Sequence, residues 1–195
     1  MIQDIFQQVL GELDTILSGI DKGQVEAARQ LICENKNIYI AGCGRTGLLM
    51  RAFGMRLMQA GWNISVIGDI EAPAACEDDL LIIGSLSGET GSLKAYAEKS
   101  KKIGMKLLVF TSKPESTLAG MADRIVMIPN PNKGKSKDGD ILMDSDENLG
   151  RESPLPHGSI GEIGLFIFLD SLVRIVIDAK GIPYSTLIRR HANLE

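Results

Sequence analysis

Histidine is nearly missing from this chain of 195 residues, with His157 and His191 the only two. Cysteine is limited to Cys33, Cys43 and Cys76, far apart and without a C-x-x-C pair. No set of these residues has the ligand spacing of a metal site, so none is expected. Sparse thiols in odd number exclude a disulfide framework and suit a reducing compartment. A basic excess is missing as well: 21 Lys and Arg against 25 Asp and Glu leave a formal charge of -4. That balance argues against nucleic acid as a partner. No stretch reaches the ~18 apolar residues of a membrane span. Residues 1–20 carry acids and no basic leader, so they do not read as a signal peptide. A cytoplasmic protein with no membrane contact is expected. No repeat of solenoid length occurs.

What is present is an ordinary globular composition, 44% apolar and 24% charged. At this length roughly 70% of the unfolded surface can be buried, and one domain over 1–195 is the simplest organisation. Apolar residues recur at three- and four-residue steps from Ile2 to Ile20, which predicts an amphipathic helix. A second helix is expected from Asp21, as N-cap, to about Glu34, so residues 1–35 form a helical lead. The rhythm then changes to short apolar strands at 38–41, 64–67, 80–83, 107–110 and 125–128. Helical patterns lie between them at 46–60, 92–103 and around 115–121. Such alternation predicts an α/β fold with a parallel sheet covered on both faces. Residues 130–156 are polar and aperiodic, long enough to read as a mobile connection or a lid. The mixed charges at 133–147 lack the spacing of a calcium loop. A strongly apolar helix is expected at 159–179, with more apolar residues than one buried face needs, which suits a central helix or contacts between subunits. The tail, 183–195, has room for a turn or two of helix.

Two strand-to-helix turns carry the chemistry. The first, Gly42-Cys43-Gly44-Arg45-Thr46-Gly47, satisfies G-x-G-x-x-G, and Asp69 follows the next strand where a dinucleotide fold keeps its ribose acid. Tight turns favour glycine for other reasons, so a lone match is weak. The second turn, 85–90, reads Ser-Leu-Ser-Gly-Glu-Thr after an apolar strand. Unpaired N–H groups at the following helix, with the hydroxyls of Ser85, Ser87 and Thr90, make a cradle for a phosphate monoester. Helix capping needs one hydroxyl, and three exceed it. Glu89 would repel a phosphate and should point aside. Two such turns at neighbouring strand ends would converge on one ligand, which favours a single phosphate over a dinucleotide.

Glu162 lies in the first turn of the apolar helix beside Gly161 and Gly164, each costing ~1 kcal/mol against alanine inside a helix. Those glycines suit a place where a substrate or another chain needs room. A carboxylate in apolar surroundings is a usable proton shuttle. Ser159 and Glu162 also have the spacing of a capping box, and both readings stand. Arg45 either reaches a ligand or pairs with an acid across the sheet edge. His157 and His191 are uncommitted by position alone.

These turns, with Ala52-Phe53-Gly54-Met55-Arg56-Leu57-Met58, Thr117-Leu118-Ala119 and the ending Arg190-His191-Ala192-Asn193-Leu194-Glu195, resemble the sugar isomerase (SIS) domain family. Within that family the resemblance is closest to the 6-phospho-3-hexuloisomerases. It implies a three-layer, flavodoxin-like α/β/α domain with a five-stranded parallel sheet. It also implies homodimers or homotetramers with active sites between subunits. The implied activity interconverts D-arabino-3-hexulose 6-phosphate and fructose 6-phosphate through an enediol, without metal or organic cofactor. Carried over residue by residue, Thr46, Ser85, Ser87, Gly88 and Thr90 would bind the phosphate. Gly44, Arg45 and His157 would touch the substrate. Glu162 would be the catalytic acid–base, and His191, in the tail, would reach a reaction centre of a neighbouring subunit. Departures fall along the sugar-facing wall: Gly161 stands where an aromatic residue is expected, His157 replaces a methionine, and the loop before them is longer. Another phosphosugar isomerase, a non-catalytic sugar-phosphate-binding protein and a dinucleotide enzyme are the alternatives.

Overall fold

The computed structural model describes residues 1–130, 153–156 and 158–194. Two helices lead, α1 (Ile2–Ser18) and α2 (Lys22–Glu34). Asp21 caps α2, its carboxylate accepting the Gln24 N–H at 2.8 Å. There follow β1 (Asn37–Gly42), α3 (Gly44–Ala60), β2 (Asn63–Val66), β3 (Leu80–Gly84), α4 (Gly91–Ile103), β4 (Lys106–Thr111), α5 (Thr117–Met121) and β5 (Arg124–Met127). The chain ends in α6 (Ser159–Ala179) and the short α7 (Tyr184–Arg189). β2 and β5 each begin one residue before the apolar run, because Asn63 pairs with Asn37 and Arg124 with Leu108 in the sheet.

All five strands are parallel, in the order β2-β1-β3-β4-β5. Strand residues alternate between two cores, as the pleat requires. Ile38, Ile40, Ile82 and Phe110 meet α2, α3 and α6 on one face, while Tyr39, Ile83 and Val109 meet α4 and α5 on the other. The α/β/α expectation therefore holds. The order also sets β1 beside β3 with their carboxyl ends in register, Gly42 opposite Gly84. The direction of winding reverses between these two strands, where parallel sheets receive ligands.

α6 packs on α1, α2 and α3. The room left by its glycines is taken by this chain itself. A methyl group at Gly164 would lie 2.7 Å from Ile16 Cγ2 of α1, and one at Gly161 would lie 3.3 Å from Leu86 Cδ1. The expected capping box does not form. Gly158, at φ +77, precedes the helix, and Ser159 is already inside it with no capping side-chain bond at that end. Most apolar residues of α6 are buried, but Phe166, Ile167 and Ile175 are exposed, as are Ile2, Phe6 and Leu10 along α1. No helix among the described residues is long and apolar enough to cross a membrane. The lid reading for 130–156 and the charge run within it fall, apart from the ends of that segment, outside the described residues.

Candidate functional site

The glycines of the first turn serve backbone packing. A Cβ on Gly47 would sit 2.7 Å from the Gly42 carbonyl oxygen, and one on Gly42 would sit 2.9 Å from Gly47 Cα. Only glycine at both positions lets α3 start directly against the end of β1. Gly44 takes φ +55 at the bend. A Cβ on Gly84 would meet Thr46 Cγ2 at 3.2 Å, so the Thr46 methyl lies over the end of β3, one residue before Ser85. Cys43 Sγ stands 3.3 Å from Ser92 Oγ, a direct contact between the first turn and the start of α4. Asp69, the ribose-acid candidate, is held by both Arg51 nitrogens at 2.9 and 2.5 Å, and this hydrogen-bonded guanidinium holds its carboxyl below its ordinary pKa.

The second turn is organised around its own hydroxyls. Ser85 is buried, and its Oγ accepts the Gly88 N–H at 3.1 Å while lying 3.4 Å from Thr90 Oγ1. Ser87 Oγ accepts the Glu89 N–H at 3.3 Å. Gly88 takes φ +68, and a Cβ there would fall 2.0 Å from Ser116 Oγ. None of the three hydroxyls caps α4: Thr90 holds the N-cap position, and its side chain makes no capping bond to the helix. The first-turn N–H groups of α4 are thus unclaimed by any capping side chain. Glu89 turns to its neighbours instead. Its carboxylate accepts the Thr117 N–H at 2.6 Å and the Thr117 hydroxyl at 2.9 Å, and pairs with Lys94 at 3.0 Å. The Thr117 backbone bond, then Lys94 and the Thr117 hydroxyl, bring its pKa down to about 2.

The start of α6 lies across both turns. Gly161 faces Leu86 of the second, and Glu162 Oε2 lies 2.7 Å from Arg45 Nε of the first. Of the two readings left open for Arg45, the acid across the sheet edge is the observed partner. Sequence-predicted residues Gly44, Arg45, Thr46, Ser85, Ser87, Gly88, Thr90 and Glu162 thus gather on the two turns and the helix above them. His191 does not join them within one chain; it is exposed, with Nδ1 3.1 Å from the carbonyl of Ala192. His157 is outside the described residues. Among those described, no three His, Cys, Asp or Glu side chains gather as metal ligands.

Sequence reasoning overlooked the turn after β4. Thr111 Oγ1 and the Ser112 N–H both reach the Leu86 carbonyl, and Ser116 lies under Gly88. The signal was there, since hydroxyls again follow an apolar strand at its carboxyl end.

The SIS domain model matches residues 30–137. The 3-hexulose-6-phosphate isomerase of Bacillus subtilis is 34% identical over 96% of this chain and 96% of its own. The chain belongs to the SIS domain family. A second SIS relative, the 3-hexulose-6-phosphate isomerase of Mycobacterium gastri, is also 34% identical, over 96% of this chain and 88% of its own. A solved Methanococcus jannaschii structure, described as inferring 3-hexulose-6-phosphate isomerase function, superposes with a TM-score of 0.75 at 27% identity. That match covers 100% of this chain and 98% of the other.

Proposed function

We propose that this SIS protein is a phosphosugar isomerase that interconverts D-arabino-3-hexulose 6-phosphate and fructose 6-phosphate. The observation that carries the reading is the placement of a carboxylate, Glu162, above a glycine turn and a hydroxyl turn that opens onto uncapped N–H groups of α4, at the reversal point of the sheet. Identity of 34% to relatives named for this reaction supports the choice of sugar.

The phosphate is held by Ser85, Ser87, Thr90 and the N–H groups at the start of α4, with Thr46 beside them. Anchoring this remote group spends binding energy on holding the reacting carbons in place. Glu162 takes the proton from C2 of the 3-ketose, the C–H electrons form the C2=C3 bond, and the carbonyl oxygen becomes the enediol hydroxyl. Return of the proton to C3 and transfer of the O2 proton leave the carbonyl at C2. His191 of a second subunit serves the oxygen protons. The exposed apolar residues of α1 and α6 support assembly as a homodimer or homotetramer, and isomerisation of a sugar phosphate suits the cytoplasm.

Proton exchange in deuterated water across phosphorylated ketoses and aldoses reads enediol chemistry directly. Wild type is expected to exchange the C3 and C2 hydrogens of this pair. Glu162→Gln should keep binding and lose about 10²–10⁴-fold in turnover. Binding without exchange by wild type would make the protein a sugar-phosphate sensor.

A further inference from the structure

Arg45 carries its charge in an unusual position. Its side chain is 62% exposed, yet its Nε lies 2.7 Å from Glu162 Oε2, in a carboxylate only 15% exposed. Oε2 itself is buried, so the remaining exposure belongs to other atoms of Glu162. The contact joins opposite charges, an ion pair between the side of the two turns and the helix above. A guanidinium has several donors in a rigid fork, and ion pairing to Glu162 uses one edge of it.

We infer that Arg45 is a positioning residue for Glu162 and does not grip the phosphate. The inference rests on the proposed role of Glu162 as base. Its guanidinium fixes the place of one carboxylate oxygen and so aims the carboxylate at the carbon-bound proton. Three observations lead there. Arg45 projects from the first turn of α3, whose glycines fix its backbone against β1. Glu162 sits on α6, whose approach to the turns is set by Gly161 against Leu86. Withdrawing Arg45 to a phosphate would break its ion pair with a largely buried carboxylate, which is costly. The hydroxyl turn can hold the phosphate without it.

The test separates kcat from KM in the proton-exchange assay. Arg45→Ala should lower kcat about a hundredfold, the cost of a misplaced catalytic group, with KM for the sugar phosphate within about threefold of wild type. Arg45→Lys restores charge without the planar fork and should recover part of that loss. Because the site of Arg45 is open to solvent, guanidinium ions should raise the Arg45→Ala rate several-fold where equal potassium chloride does not. A purely structural role would not be rescued in this way. A tenfold or larger rise in KM with kcat retained would overturn the inference and make Arg45 a substrate ligand. Unchanged kinetics would overturn it too. Should Arg45→Ala fail to fold, the same split read on Arg45→Lys decides the matter. Absence of exchange by wild type on every phosphosugar would instead overturn the isomerase reading itself, and the inference with it.

Discussion

The two turns at the centre of the sheet begin alike and end differently. Each follows an apolar strand, bends at a glycine of positive φ and opens a helix. In the first, Gly42 and Gly47 are consumed by contact between strand end and helix. In the second, the side chains do the organising, with Ser85 and Ser87 accepting backbone N–H groups of their own turn. A glycine pattern here reports how closely a helix starts on its strand. A hydroxyl pattern reports donors arranged before any ligand arrives. The contrast is between a turn that satisfies a dinucleotide fingerprint in letters, 42–47, and one whose hydroxyls organise its own backbone.

The contrast can be broken most severely at its bends. Gly88→Ala places a Cβ on Ser116 and a non-glycine residue at φ +68, which should cost about 3 kcal/mol in urea unfolding. Gly44→Ala, at φ +55 in open space, should cost only about 1 kcal/mol. Equal losses would mean that the second bend is no tighter than the first. A smaller effect sharpens the functional side. Ser87→Ala should weaken fructose 6-phosphate binding about tenfold in calorimetry, equal to about 1.4 kcal/mol. Its unfolding free energy should move by less than about 0.5 kcal/mol. Unchanged affinity would remove the hydroxyl turn from phosphate binding.

The smallest effect disappears in acid. The pKa of Glu89 is depressed from 4.5 to about 2, so its pairing with Thr117 and Lys94 stabilises the fold above pH 4.5 and is lost as pH falls toward 2. Glu89→Gln should therefore melt below wild type near neutrality, and the gap in Tm should close across that window. A gap independent of pH would assign the loss to packing rather than charge.

Much of this was legible in the residues. β1, β3 and β4 are buried on both faces, so their sequences are unbroken apolar runs, and the turns between them announce themselves in glycine and hydroxyls. Less was legible where a residue's partner comes from far along the chain. Nothing near Arg45 in sequence selects Glu162 over a ligand, and only the seating of α6 decides it. Ser159 and Glu162 had capping-box spacing, but the helix starts one residue earlier than that motif needs, so the serine is used as a helical residue. Gly161 and Gly164 read as room for a substrate or another chain, whereas Leu86 and Ile16 of this chain take it. His191 stands apart from both turns, exposed, with contacts to Ile188 and Ala192 along its own stretch of chain.

The fit of Ile16 against Gly164 has a consequence for how this protein can be shortened or rebuilt. The leading helices look like a preface to the sheet, the kind of segment trimmed first when a minimal fold is sought. α1 is in fact a shim beneath the helix that carries Glu162. Cutting it away, or widening position 164, would re-aim the carboxylate while leaving both turns intact. On the proposed mechanism, the result would be a protein that still holds a phosphate and no longer knows where to find the proton.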